Sequence, residues 1–318
     1  MQRAVKNMVV LAGALLALPA HASEVGHLVM GTARPRDFIM PDPGTYYLQY
    51  DTYYHSDTYK DRNGNKVSTV NTIGGPVNIS VDIDSYTIAP MVAHVTQTKI
   101  LGADYGWYAL QPFGNLGLAA SVSTTTSGRA ASNNSFGLGD AFLQPVWLGW
   151  NLGDNQIAAG YGFYAPDGKY ETNGTSNVGL GFWSHQFQLT GAHYFDAQKA
   201  DVLVGALTYE INERKQGEDI APGDDMAFNI GFDHMMPVNP HWLADIGLMT
   251  YGQWQTTDDR GTDAVNPGVH DQVYGIGLNA GLVYLPWMGN IDMHWTHELE
   301  ARDRLEGDYY TLTLSIPM

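Results

Sequence analysis

Residues 309–318 read Tyr-Tyr-Thr-Leu-Thr-Leu-Ser-Ile-Pro-Met. Tyr310, Leu312, Leu314, Ile316 and Met318 are apolar, and Tyr309, Thr311, Thr313 and Ser315 between them are polar or amphipathic. A β-strand sends successive side chains to opposite faces, so this stretch has one apolar face and one wet face. The same two-residue rhythm recurs upstream. From Gln272 to Leu285 one face reads Tyr274, Ile276, Leu278, Ala280, Leu282, Tyr284, and the other reads Val273, Gly275, Gly277, Asn279, Gly281, Val283. Ten residues at ~3.3 Å each, tilted by about 40°, rise roughly 25 Å, the height of the apolar band of an outer-membrane barrel. Tyrosines cap both ends of that face. A soluble sandwich also alternates, but its aromatics usually lie mid-face.

Two more stretches repeat the pattern. From Trp242 to Trp254 the even positions carry Trp242, Ala244, Ile246, Leu248 and Trp254, and the odd ones carry Asp245, Met249, Tyr251 and Gln253. From Trp183 to Phe195 the odd positions hold Trp183, Phe187, Leu189 and Phe195, interrupted by His185 and His193. Strands are predicted at 44–54, 81–95, 101–124, 137–150, 155–166, 180–195, 201–213, 224–236, 241–254, 271–285, 289–302 and 307–317. The segment 101–124 is either one long bent strand or a hairpin broken near Gly114. A bulge at Pro145 would reconcile Phe142, Trp147 and Leu148, which do not share a face. The connections alternate short and long, with 125–136 among the long ones. The expectation is an all-β fold: a transmembrane antiparallel β-barrel of about twelve strands with both termini periplasmic.

The chain's start agrees with export. Arg3 and Lys6 precede an apolar run from Met8 to Pro19, and Ala20-His21-Ala22 offers a signal-peptidase site. Residues 1–22 read as a signal peptide rather than an uncleaved anchor, because a spanning helix needs roughly 20 apolar residues. The mature chain keeps 14 basic against 33 acidic residues, a net charge of −19 with histidine neutral. Such acidity argues against nucleic acid, whose phosphates would repel it. No cysteine is present, which suits an exported protein held by backbone pairing. Residues 23–43, with Arg34-Pro35-Arg36 and Phe38-Ile39-Met40, form either a flexible periplasmic tail or a plug in the barrel. The barrel follows over 44–318.

Several ordered stretches carry a family resemblance. They include Gly137-Leu-Gly-Asp140, Gln144-Pro145, Leu148-Gly-Trp150, Gly179-Leu-Gly-Phe-Trp-Ser-His-Gln186, Gly252-Gln-Trp-Gln-Thr-Thr-Asp-Asp259 and Gly307-Asp-Tyr-Tyr-Thr-Leu-Thr-Leu314. Over roughly residues 40–318 the chain resembles the transporter-type outer-membrane family named for the meta-pathway of phenol degradation. The resemblance implies a barrel that passes aromatic or other hydrophobic small molecules. It brings no catalytic residues.

The densest polar row lies on 289–302: Asp292, His294, Thr296, Glu298, Glu300 and Arg302. It is read as lumen-facing, together with Glu210, Asp233, Asp245 and Tyr251. It either orients a permeant or forms an interior ion-pair network with Arg302 and Arg304, since a buried charge needs a partner. His294 and Glu298 invite a hydrolase reading, but no nucleophile motif such as G-x-S-x-G accompanies them. His294 and His297 would point to opposite strand faces, which does not make a zinc pair. The acidic loops around Asp57, Asp61, Asn63 and Asn65, and around Asp258, Asp259, Asp263 and Asp271, lack the spaced calcium-loop pattern. The expected function is passive uptake of small hydrophobic solutes, without enzymatic activity and without a cofactor. A structural or adhesive barrel is the alternative. The expected partners are outer-membrane lipid, the barrel-assembly machinery and the permeant.

Overall fold

The computed structural model describes residues 25–72, 75–123, 128–172, 174 and 176–318. The expected signal peptide lies outside them. The strands are β1 (Gly44–Tyr59), β2 (Thr69–Thr72), β3 (Gly75–Ile100), β4 (Ala103–Leu110), β5 (Phe113–Ser123), β6 (Gly128–Leu138), β7 (Ala141–Leu152) and β8 (Asn155–Ala165). They continue as β9 (Ser184–Tyr194), β10 (Asp201–Asn212), β11 (Asp225–Asn239), β12 (Trp242–Gln255), β13 (Gln272–Tyr284), β14 (Gly289–Arg302) and β15 (Leu305–Pro317). All pairings between them are antiparallel. The sheet closes because β1 pairs on one side with β15, from Tyr46↔Pro317, and on the other with β3, from Gly44↔Val95.

The closed barrel has twelve strands. β4 and β5 both lie along β3 and act as one strand interrupted at Gln111–Pro112. β6 and β7 likewise form one strand interrupted at Gly139–Asp140. The short β2 adds to the outer end of β3. The segment 101–124 is therefore one interrupted strand and not a hairpin, and its break falls at Pro112, two residues before Gly114, where the ring has no N–H for the ladder. Gly114 instead pairs with Thr87 inside the ladder. The register of β7 shifts between Leu143 and Val146, at the site expected for a bulge at Pro145. The long connection expected at 125–136 is mostly strand, because β6 begins at Gly128 and pairs along β5.

Side-chain alternation sets the two surfaces. Ile246, Leu248, Ile276, Leu278, Leu282, Ile291, Met293, Leu312 and Leu314 are exposed large apolar residues on the outer face. Trp242, Tyr284 and Trp287 cluster at one rim, and Phe228, Trp254 and Tyr274 at the other. An apolar belt between aromatic girdles fits a bilayer, so the chain is an outer-membrane β-barrel. The start of β1 and the end of β15 both lie at the rim of tight turns, the periplasmic rim by the usual arrangement. One of those turns is Leu101–Gly102, where φ is 52° and 81°. Positive φ at both central residues matches a right-twisted hairpin. The outer face of β1 departs from the belt. There the Tyr47 hydroxyl donates to Gln49, and the Gln49 amide donates to both Asp51 oxygens at 3.0 Å, so these groups satisfy one another.

Candidate functional site: the lumen and its N-terminal segment

Residues 25–43 run inside the barrel from the outer mouth down to the periplasmic rim, where β1 begins. Three sets of contacts hold them. At the top, the His27 and Leu28 amides donate to Glu210 Oε1 at 2.7 and 3.2 Å. The His27 ring lies between Ser184 Oγ, 2.7 Å from Nδ1, and Asp140 Oδ2, 2.8 Å from Nε2. It stacks on Tyr164 with centroids 4.5 Å apart. In the middle, Leu28 and Met30 pack with Met249, Tyr251, Val273 and Ala301, and the Thr296 hydroxyl donates to the Gly31 carbonyl at 2.9 Å. Gly31 takes φ +83°, and a Cβ there would lie 3.1 Å from Thr296 and 3.2 Å from Tyr251.

At the bottom the contacts are ionic. Arg34 Nη1 donates to Asp245 at 2.5 Å and lies 3.8 Å from Asp292, while its Nε reaches Asp37 at 3.2 Å. Arg36 pairs with Asp233 and donates to the Ala200 carbonyl at 2.7 Å. A single 3₁₀ turn, Pro35–Phe38, presents the two arginines; Pro35 supplies its fixed φ and Asp37 accepts the Arg34 amide. Below the turn, Met40 exchanges two hydrogen bonds with the Gln156 side chain, at 2.8 and 3.0 Å. Met40 packs with Val95, Trp147 and Ala158, and Phe38 and Ile39 against Tyr194, Val202 and Val204. The segment therefore stands as a plug and not as a tail.

The sequence-predicted residues divide by height. Glu210, Asp233, Asp245, Tyr251, Asp292, His294 and Glu298 all point into the lumen and are buried, each at 1% exposure or less. Glu210, Asp233, Asp245 and Asp292 contact the plug, not an open passage. His294 Nε2 lies 2.8 Å from Thr296 Oγ1. Glu298 accepts the Gly307 amide at 2.7 Å and the Tyr54 hydroxyl at 3.1 Å, with Tyr251 at 3.5 Å. Glu300 is a correction. The register of β13 against β14 shifts between Tyr274↔Glu300 and Gly275↔Glu298, leaving Leu299 as a bulge. The bulge turns Glu300 outward, where it pairs with Arg302 at 2.9 Å. Arg302 is thus absent from the interior, and Arg304 faces the buried Asp271 at 3.8 Å.

Sequence reasoning missed His27, Asp140, Ser184, Asn212 and Asp225, which the fold gathers from distant places. The available signal was charge complementarity. Arg34 and Arg36 are two of only 16 basic residues in the sequence, and they precede a barrel with an acidic interior. Several acids of the acidic loops are satisfied internally. The Asn63 and Asn65 amides each donate to Asp61 at 2.8 Å and hold its carboxyl below the usual range. Asp259 accepts the Gly223 amide, and Asp263 that of Asp219.

Ser184, His27 and Asp140 have the composition of a hydrolase triad, but their protons are committed elsewhere. The Asn212 amide group donates to the Gly223 carbonyl at 2.7 Å, which turns its oxygen to Ser184. Ser184 donates its one proton to that oxygen at 2.6 Å. No Ser184 proton is therefore directed at His27 Nδ1, so the ring is not placed to take one from it, and the Asp140 beside Nε2 already accepts the Gly168 and Leu180 amides. Ser184 is also fully buried. The trio is a latch for the plug.

Beside the plug lies a cavity of about 640 Å³. Its wall on β3 to β5 includes Ala89, Met91, Leu110, Phe113 and Leu116, and the plug contributes Leu28 and Val29. Tyr50, Tyr54, Tyr108, Tyr164 and Tyr309 add aromatic surface.

A sequence model of the family described as MetA-pathway of phenol degradation matches residues 56–314. No curated protein matches the sequence. Among solved structures, the COG4313 outer membrane channel from Pseudomonas putida F1 is similar at TM-score 0.69 and 16% identity, over 90% of this chain and 100% of that one. The β domain of the Bordetella autotransporter BrkA gives TM-score 0.45 at 10% identity, over 87% and 100%. The translocator domain of the autotransporter NalP from Neisseria meningitidis gives 0.46 at 9%, over 89% and 91%. The first of these shares the fold.

Proposed function

This chain belongs to the family described as MetA-pathway of phenol degradation, and from that premise we propose that it is a non-enzymatic outer-membrane channel for passive uptake of small hydrophobic, chiefly aromatic, compounds. The observation that carries the reading is the cavity between the plug and the β3–β5 wall. Its volume suits a small organic ligand, and its lining is mostly apolar and aromatic with a minority of polar groups, among them Gln186, Gln188, Asn229, Asp37 and Asp140, the usual make-up of such sites. Two further features agree with it: the family, and a similar fold in a solved structure described as an outer membrane channel. The barrel-assembly machinery and outer-membrane lipid are the partners this reading requires.

The test is uptake into vesicles whose outer leaflet is lipopolysaccharide, because aromatic solutes dissolve through plain phospholipid. Labelled hydroxylated aromatics should enter faster with the protein than without it, and a disaccharide should not. Equal entry of the aromatics with and without protein would overturn the proposal.

A further inference from the structure

On the outer face, Tyr53 and Tyr86 pair across β1 and β3 at the upper aromatic girdle. One step further out, His55 pairs with Asp84, and Asp82 follows on the same face of β3. The position is set by register alone, since His55 and Asp84 lie 29 residues apart. His55, Asp82 and Asp84 each bring one ligand atom to within 4.8 Å of the others. His55 Nδ1 is 3.0 Å from Asp84 Oδ1, and the Tyr53 hydroxyl donates to the same oxygen at 2.5 Å.

Two carboxylates sit side by side with no lysine or arginine paired to either among the described residues. Like charges this close repel unless a cation lies between them. Elsewhere on this protein, acids at the surface have cationic partners: the exposed Asp57 has Lys66 and the partly exposed Asp219 has Arg214. The imidazole distinguishes this cluster from a solvated acidic patch. One nitrogen with two carboxylate oxygens suits a divalent first-row cation, and the Tyr53 hydroxyl fixes the orientation of one ligand as outer-shell donors do.

We propose that His55, Asp82 and Asp84 form a binding site for a divalent transition cation, clamping β1 to β3 on the outer face just above the membrane belt. The two strands meet at the seam where the barrel closes. A cation bound only to the folded barrel would stabilise it by mass action. Its remaining coordination positions face outward, at headgroup level.

The probe is Zn²⁺, titrated calorimetrically into the purified full-length barrel in detergent, with Ca²⁺ as comparison. His55→Gln and Asp82→Asn are made separately, because each keeps size and removes one ligand. Retained heat-modifiable mobility on a gel establishes that each variant is folded. The expected result is one zinc site lost or weakened at least tenfold in each variant, with a zinc-dependent rise in unfolding temperature that both variants abolish. Other surface histidines, such as His270 beside Asp258, can take zinc too, so the readout is the difference from wild type. Identical isotherms for wild type and variants would overturn the proposal. So would Ca²⁺ binding equal to that of Zn²⁺ and unaffected by His55→Gln, which would mark a solvated acidic patch.

Discussion

The two sides of the lumen are built from different chemistry. On β10 to β14 the interior is a bed of buried carboxylates: Glu210, Asp225, Asp233, Asp245, Asp292 and Glu298. On β3 to β5 it is mostly apolar, with Ala89, Met91, Leu110, Phe113 and Leu116 beside the hydroxyls of Ser85 and Thr87. The plug leans on the acidic side and leaves the cavity on the apolar one. A buried carboxylate without a partner is costly, so the acidic wall requires the cations of the plug. The apolar wall requires nothing polar and can accept an apolar guest. The division explains how one barrel can hold its own N-terminal segment firmly and still keep room for a solute.

The largest expected effect comes from breaking the ionic side. Arg34→Leu combined with Arg36→Leu removes both cations and strands Asp233, Asp245 and Asp292. Removing one partner of a buried ion pair destabilises by about 3–5 kcal/mol. The plug should detach, so single-channel conductance should rise and the opened pore should favour cations. Reversal potentials across a KCl gradient in a planar bilayer measure that preference. Unchanged conductance would show that the apolar contacts of Met40 and Leu28 hold the plug without its arginines.

Next in size is the outer surface, which serves as reference for both walls. Leu278→Arg places a guanidinium in the belt and should cost about 2–4 kcal/mol. Asn279→Arg, one residue along and facing the lumen beside Asp233 and Asp292, should cost less. Denaturant midpoints of the folded barrel compare the two. Equal shifts would mean that the acidic wall discriminates no better than lipid.

How much of this was legible in the sequence follows from the range of each interaction. Alternation is local, so Tyr274 to Tyr284 announced a membrane strand, and Asp245 and Tyr251 could be assigned to the lumen face. A bulge is also local but silent: nothing in His-Glu-Leu-Glu-Ala-Arg marks Leu299 as the extra residue, and Glu300 was consequently assigned to the wrong face. The plug was visible only as a choice between tail and occupant. Its latch joins His27 to Asp140, Ser184 and Glu210 across 113, 157 and 183 residues, and no periodicity spans such distances. The two walls were illegible for the same reason. Each strand displays its own faces, but which strands sit opposite one another is set by closure of the whole sheet.

On the apolar side, Ala89→Trp should fill part of the cavity. Ala89 is lumen-facing on β3, and an indole there would occupy space now open beside Met91 and Leu110. Uptake of aromatics in the vesicle assay should fall several-fold with the barrel intact, since the added side chain enters a void and not a packed core. Unchanged uptake would mean that solutes do not pass along this wall.

The smallest effects distinguish two glutamates of one strand. Glu298 is buried on the acidic wall and accepts the Gly307 amide, Tyr54 and Tyr251. Glu298→Gln keeps the shape but exchanges a charged acceptor for a neutral one, and a hydrogen bond to a charged group contributes roughly 1.5–3 kcal/mol against about 1 for a neutral one. A loss of about 1 kcal/mol in heat stability on a gel is expected. Little change in aromatic flux should follow, because Glu298 is not itself a lining residue of the cavity and touches it only through Tyr54. Glu300→Gln should be smaller still. Its partner Arg302 is on the surface, and such a pair is worth about 0–1 kcal/mol. The two substitutions are chemically identical and two residues apart, so the difference between them isolates the bulge at Leu299. If both shift stability equally, the bulge is absent and Glu300 shares the interior with Glu298. If Glu298→Gln alone changes flux, the permeant runs along the acidic wall, and the division of labour between the two sides must be redrawn.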